Sequence, residues 1–232
     1  MTEEIDLITF DAGGTLFDIV PTRDQVFMGI LSKQFGGLDE GLIVSALRKA
    51  DRTFDEEFAS QDGKNEDPFW RRYDEFVFRE LGIRDDSGRV HSELDSAFSE
   101  MIPREDTWVD FPETRRVLER LRARDFELGV ISNATDLTRR VLDRLNLSQF
   151  FDFVIVSEDV GYRKPRPEIF RLATKMGGTA PNRSLHIGDK FAVDVVGACR
   201  AGMNAVLLDR THVYDDLDCI RALDLNFFAA FS

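Results

Sequence analysis

Lysine is scarce in this chain. Of its 232 residues only six are lysine (Lys33, Lys49, Lys64, Lys164, Lys175 and Lys190), whereas arginine is common. A lysine found inside a motif therefore carries more weight than usual. Cysteine is scarcer: Cys199 and Cys219 are too few for a disulfide framework and fit no zinc-site spacing. Free thiols point to a cytoplasmic protein. Long apolar runs are lacking as well. None approaches the ~20 residues that span a bilayer, so no membrane partner is expected. The opening MTEEIDLITF is acidic and has no basic stretch leading into an apolar one, so it reads as no signal peptide. Positive charge is short overall. A formal net charge of −13 argues against a nucleic-acid partner, which asks for a basic face. Such a surface suits a high-salt interior or an ordinary acidic enzyme equally.

What is present is ordinary for a globular protein. Hydrophobic residues make up 43 % and charged residues 31 %, which excludes a disordered chain. The length allows one large domain, or one domain with a smaller companion. There is no internal repeat and no low-complexity tract. Five short apolar runs read as buried strands: Asp6 to Phe10, Glu127 to Ile131, Phe151 to Val156, Ser184 to Ile187 and Asn204 to Leu208. Helical patterns fall between the later runs, at Glu113 to Ala123, Leu137 to Leu145, Pro167 to Met176 and Phe191 to Ala201. Asp136 and Pro167 mark helix starts, and Gly177-Gly178 and Gly202 mark helix ends. Strands alternating with helices of this length predict βαβ units and a parallel sheet.

One stretch breaks the alternation. From about Pro21 to Arg104 no strand is legible, and helical patterns cover Arg23 to Gln34, Asp39 to Ala59, Asp67 to Leu81 and Gly88 to Met101. Gly36-Gly37, Asp62-Gly63 and Asp85 to Gly88 punctuate them. The stretch reads as an all-helical insertion after the first strand. Its aromatics Phe54, Phe58, Phe69, Trp70, Phe76 and Phe78 recur at helical spacing and read as its own core.

Four loops each follow the carboxyl end of an expected strand, the edge where open parallel sheets bind ligands. They carry Asp11, then Ser132 with Asn133, then Lys164, then Asp189 with Asp194. Asp11 precedes Gly13-Gly14, where backbone amides can approach a phosphate, and a carboxylate can attack phosphorus. Read alone, it is more readily a loop-capping Asp, which is common after strands. Ser132 and Asn133 offer a hydroxyl and an amide to a phosphoryl oxygen, or simply begin the next helix. Lys164, in YRKPRPEIF and followed by the backbone-fixing Pro165 and Pro167, could neutralise both Asp11 and a phosphate. The alternative is a solvated loop lysine. Asp189 and Asp194, in GDKFAVD, offer the oxygen donors that Mg²⁺ prefers. Acids crowded against Asp11 without a cation would repel one another.

These four blocks resemble, in order, the motifs of the haloacid dehalogenase-like hydrolase superfamily: FDAGGTLFD, VISNAT, the Lys164 segment and IGDKFAVD. The resemblance runs from Ile8 to about Asp209, and the helical stretch resembles the cap that one large subgroup inserts after its first motif. It implies an α/β fold, a doubly wound parallel sheet of order 3-2-1-4-5, with an inserted α-helical cap. Residues 1–17 and 106–232 would form the catalytic core and 18–105 the cap, which would close over the site. It implies Asp11 as nucleophile and metal ligand, the Gly13 carbonyl and Asp189 as further Mg²⁺ ligands, and Asp194 behind them holding metal waters or Lys164. Gly14, Ser132, Asn133 and Lys164 would bind phosphate and Thr15 would orient Asp11. The partner would be a small phosphorylated molecule.

One position departs from the pattern. Phosphatases of the superfamily carry an acid/base Asp two residues after the nucleophile, and this chain has Gly13 there. A phosphatase of this kind would need a leaving group that departs unprotonated or brings its own acid. Three alternatives follow. The 2-haloacid dehalogenases also lack that Asp but have lost the acid equivalent to Asp189, which this chain keeps. Phosphonoacetaldehyde hydrolases need a desolvated cap lysine, for which Lys33, Lys49 and Lys64 are the candidates. A ligand-binding protein with vestigial activity is the third.

Overall fold

The computed structural model describes residues 5–61, 63 and 66–230. Lys64 therefore lies outside the described residues. The chain divides into two compact units, one of Met1–Asp18 with Trp108–Ser232 and one of Ile19–Thr107.

The first unit is built on a six-stranded sheet. Its strands are β1 (Leu7–Phe10), β4 (Glu127–Ser132), β5 (Phe153–Val156), β6 (Ser184–Gly188), β7 (Asn204–Leu208) and β8 (Arg221–Ala222). A separate two-stranded sheet joins β2 (Phe17–Ile19) to β3 (Trp108–Asp110). The six strands lie in the order β5-β4-β1-β6-β7-β8, and all five pairings are parallel. This is the expected doubly wound order, with β8 added at one edge. The chain moves outward from β1 on one side and then returns to β1's other side, so β1 marks the switch point where such sheets bind ligands.

The sheet is covered on both faces, which is why its strands read as continuous apolar runs. On one face Ile8, Phe10, Leu128, Val130, Leu185 and Ile187 share a core with Val117, Leu118 and Leu121 of α5 (Thr114–Arg122) and Val141 and Leu142 of α6 (Leu137–Arg144). On the other, Leu7, Ile131 and Ile155 pack with Ile169, Phe170 and Ala173 of the helix Pro167–Met176, and with Ala198 of the helix Val196–Arg200. The last of these continues directly from a π-helical turn over Phe191–Val195. The expected helix from Phe191 thus begins with wider backbone turns, a feature that hydrophobic spacing does not encode.

The second unit holds four helices: α1 (Arg23–Phe35), α2 (Glu40–Ser60), α3 (Asp67–Glu80) and α4 (Arg89–Met101). Thr22 and Gln25 form a capping box at the start of α1, and the Asp39 carboxylate caps α2 by accepting from the Leu42 amide. Phe27, Leu31, Ile43, Leu47, Phe69, Tyr73, Val77 and Leu94 bury one face of each helix in a shared core. Of the aromatics read as core, Phe69 and Phe78 are buried, and Phe54, Phe58 and Phe76 pack against them, whereas Trp70 is 38 % exposed. None of the helices among the described residues is long and apolar enough to cross a membrane.

Candidate active site

Register brings the candidate residues together. At the carboxyl ends of the central strands, Phe10 lies opposite Val130 on one side and Ile187 on the other. One residue on, Asp11 leaves the sheet with its amide bonded to the Ile187 carbonyl at 2.8 Å. Two residues beyond those partners stand Ser132 and Asp189. Parallel strands in register thus convert three distant segments into one edge.

Lys164 is the hub. Its side chain is 1 % exposed, and Nζ lies 2.5 Å from Asp11 Oδ1 and 2.7 Å from Asp194 Oδ1. Its backbone is clamped by Asn133, whose Oδ1 accepts from the Lys164 amide and whose Nδ2 donates to the Lys164 carbonyl, both at 2.8 Å. The amide expected at a phosphate thus spends its oxygen and one N–H on holding the lysine loop. Asp194 Oδ2 accepts from the Lys190 amide at 3.0 Å. Asp194 is 1 % exposed and sits against Gly188, where an added Cβ would fall 2.2 Å from its Cγ.

Asp11, Asp189 and Asp194 each offer an oxygen within 4.8 Å of the others. Burial pushes the Asp189 carboxyl up to about 8; nearby Lys190 lowers it, and Asp11 and Asp194 raise it further. Burial likewise pushes Asp11 up to about 6, against the pull of Lys164 and with a push from Asp194. Burial acts on Asp194 in the same direction, but the charge of Lys164 and the bond from His186 outweigh it and hold that carboxyl below its usual range. Lys164 is held above its ordinary value because Asp11 and Asp194 overcome the effect of burial. Three carboxylates facing one buried ammonium, with Lys190 Nζ 4.0 Å from Asp189, leave the cluster short of positive charge. Hard oxygen donors in such a deficit fit a divalent cation such as Mg²⁺.

The glycines of the first loop differ in kind. Gly14 has φ +78°, and an added Cβ would fall 2.6 Å from Asp189 Oδ2, so conformation and space both demand glycine. Gly13 has no such backbone, and an added Cβ would meet only the Trp108 ring at 3.5 Å. Trp108 in turn stands edge-on to Phe17 at 5.6 Å. The place two residues after Asp11 is therefore open, with an aromatic wall.

The remaining candidates have plain positions. Ser132 is buried with Oγ 3.1 Å from Thr138 Oγ1. Thr15 is buried, and its hydroxyl bonds to no group among the described residues, Asp11 included. Three residues not singled out in the sequence also join this region. Arg210 donates to the Thr15 carbonyl at 3.0 Å, pairs with Glu113 at 2.7 Å and stacks on Phe111. Thr9 and His186 lie in the sheet beneath Asp194. Their signal was a polar residue inside an otherwise apolar strand.

Comparison with known proteins gives the family and agrees with the fold. The profile of the haloacid dehalogenase-like hydrolases matches residues 5–202, and the chain belongs to that family of hydrolases. It is 41 % identical over 100 residues, 43 % of its length, to a glyceraldehyde 3-phosphate phosphatase of Methanothermobacter thermautotrophicus, a match spanning 44 % of that relative. A Bacillus subtilis hydrolase of this family, solved bound to magnesium, shares the fold at 18 % identity and a TM-score of 0.63 over 99 % of both chains. A 2-haloacid dehalogenase of Pseudomonas syringae is 26 % identical with a TM-score of 0.57, over 97 % of this chain and 96 % of that one.

Proposed function

We propose that this protein is a cytoplasmic, magnesium-dependent phosphatase of small phosphorylated molecules that works through an aspartyl phosphate on Asp11. The observation carrying this reading is the convergence of Lys164 on Asp11, Nζ to Oδ1 2.5 Å, beside the acids Asp189 and Asp194. The phosphatase name of the Methanothermobacter relative supports the same chemistry.

Asp11, Asp189 and the Gly13 carbonyl would hold the ion. When bound, Mg²⁺ supplies positive charge to the oxygens of the transferring phosphoryl group. Asp11 attacks phosphorus, the bond from phosphorus to the ester oxygen breaks, and the alcohol oxygen leaves. Water then attacks the same phosphorus, and the bond to Asp11 breaks. Lys164 offsets the charge that develops in both steps. Ser132, the Gly14 backbone and the second N–H of Asn133 bind phosphate oxygens, and Thr15 steadies the turn after Asp11. Asp194 holds Lys164. With Gly13 in the acid/base position, no side chain there protonates the leaving oxygen, so leaving groups stable without a proton are preferred. The helical unit acts as the cap that contacts the rest of the substrate.

Turnover of p-nitrophenyl phosphate tests this reading. It should require added Mg²⁺ and vanish with EDTA; full activity in EDTA would contradict it. A second reading, favoured by the likeness to the Pseudomonas dehalogenase, is halide displacement by Asp11. It requires metal-independent release of chloride from 2-chloropropionate, measured in the same preparations.

A further inference from the structure

Two polar side chains that this reaction leaves unused are sealed into the sheet beneath the site. Thr9 and His186 are register partners on β1 and β6, and both are 0 % exposed. Thr9 Oγ1 lies 2.9 Å from His186 Nδ1 and 3.3 Å from the Leu185 carbonyl. His186 Nε2 lies 3.3 Å from Asp194 Oδ1, the same oxygen that stands 2.7 Å from Lys164 Nζ. The chain of contacts leaves β1 at Thr9, passes through His186, Asp194 and Lys164, and returns to the same strand's end at Asp11.

Packing alone does not call for these residues. An apolar pair would fill the space beside Phe170, whose ring stands edge-on to the imidazole at 5.0 Å, without the cost of burying polar groups. Burial favours the neutral imidazole, against the bond and charge of Asp194, and a neutral ring carries one N–H. If that hydrogen were on Nδ1, a nitrogen lone pair would face the Asp194 carboxylate. If it is on Nε2, the ring donates to Asp194 in a charge-assisted bond, and Nδ1 accepts from the Thr9 hydroxyl. The second arrangement gives Asp194 a donor in place of a facing lone pair, directs the single Thr9 hydroxyl hydrogen to Nδ1 at 2.9 Å rather than to the more distant Leu185 carbonyl at 3.3 Å, and ties the tautomer to Thr9.

We propose that Thr9 and His186 are positioning residues for the reaction: they fix the Asp194 carboxylate in the orientation that presents Oδ1 to Lys164, and so hold Nζ against Asp11. This rests on the proposed roles of Asp11 and Lys164. Without the Nε2–H bond, Asp194 loses one of the donors that orient it beside the Lys190 amide, and the place of Lys164 between its two carboxylates is less sharply fixed. Small displacements of a charge-bearing group at a reacting centre lower turnover by roughly 10-fold or more.

The test combines kinetics on p-nitrophenyl phosphate with NMR of ¹⁵N-histidine-labelled full-length protein. Thr9→Val keeps the shape and removes the hydroxyl; it should lower kcat roughly 10-fold with KM little changed, while Thr9→Ser restores near wild-type kcat. His186→Leu should lower kcat at least as much. Because Thr9 acts only through His186, the double variant should be no worse than His186→Leu alone. The spectrum should show His186 as the Nε2–H form. A Thr9→Val protein with wild-type kcat, a double variant showing the product of the single losses, or an Nδ1–H form would each overturn the proposal. Should His186→Leu not fold, Thr9→Val against Thr9→Ser and the spectrum decide it. Asp11→Asn in the same assay separates the levels: loss of its turnover with an inert Thr9→Val removes only the positioning role, whereas retained turnover removes both readings.

Discussion

Gly13 and Gly14 are neighbours without side chains, yet only one is forced. Gly14 lies in the left-handed region against Asp189, so Gly14→Ala must strain the backbone and push that carboxylate aside. The expected result is a fall of at least about 10-fold in kcat/KM and a higher Mg²⁺ concentration for half-maximal rate, read from a metal titration. Gly13 has room for a Cβ and an ordinary backbone. Gly13→Asp should therefore fold, checked by circular dichroism, and should place a carboxyl where the leaving group departs. General acid–base assistance is worth about 10²–10⁴-fold. The variant should gain more on an alkyl phosphate than on p-nitrophenyl phosphate, whose phenolate leaves unprotonated. Wild-type protein that hydrolyses both equally fast would mean that another acid serves the site. Asp11 and Asp189 were legible because each is a charged residue just past an apolar run, and Lys164 because lysine is scarce and two prolines follow it. Thr9, His186 and Arg210 were not. Their partners are fixed by strand register and loop closure, and a lone polar residue within a strand does not say what it meets.

At the scale of elements, spacing carried far where runs were long. The four helices of the second unit and the five central strands follow from apolar periodicity, because each buries a continuous face or run. The pair β2 and β3 escaped, since three residues apiece are too few to show alternation. The π turn carrying Asp194 escaped because backbone hydrogen-bond spacing leaves no mark on which residues are apolar. Within the helical unit, α3 and α4 are joined by Asp74 and His91, 2.6 Å apart and nearly buried. Burial raises the Asp74 carboxyl to about 6; His91 opposes this and Asp95 adds to it, while Arg23 lowers it. The folded form thus keeps a proton that the unfolded chain releases near 3.8. That contribution is full below the unfolded value and lost as pH rises through about 6. Asp74→Asn removes the titration and keeps an acceptor for His91. Its melting temperature should exceed wild type at pH 8, by a stability gain of at most about 3 kcal/mol, with the advantage gone at pH 4. A variant no more stable than wild type at pH 8 would contradict this account of the pair.

For the whole molecule, the telling feature is how distant segments meet. Asp11 and Asp189 are separated by most of the chain, yet β1 and β6 are hydrogen-bonded neighbours. That adjacency follows from the doubly wound order, in which the chain returns to its first strand after building outward from it. Strand order was therefore readable from alternation and the family resemblance together, while side-chain contacts had to wait for the register. The short edge strand β8 left no readable trace in its two residues.

The account depends on Asp11 as the group that attacks phosphorus, and kcat of Asp11→Asn on p-nitrophenyl phosphate with saturating Mg²⁺ tests this most directly. An amide cannot form the covalent intermediate, so turnover should fall to background while circular dichroism shows an intact fold. A folded Asp11→Asn protein keeping half of the wild-type rate would contradict it.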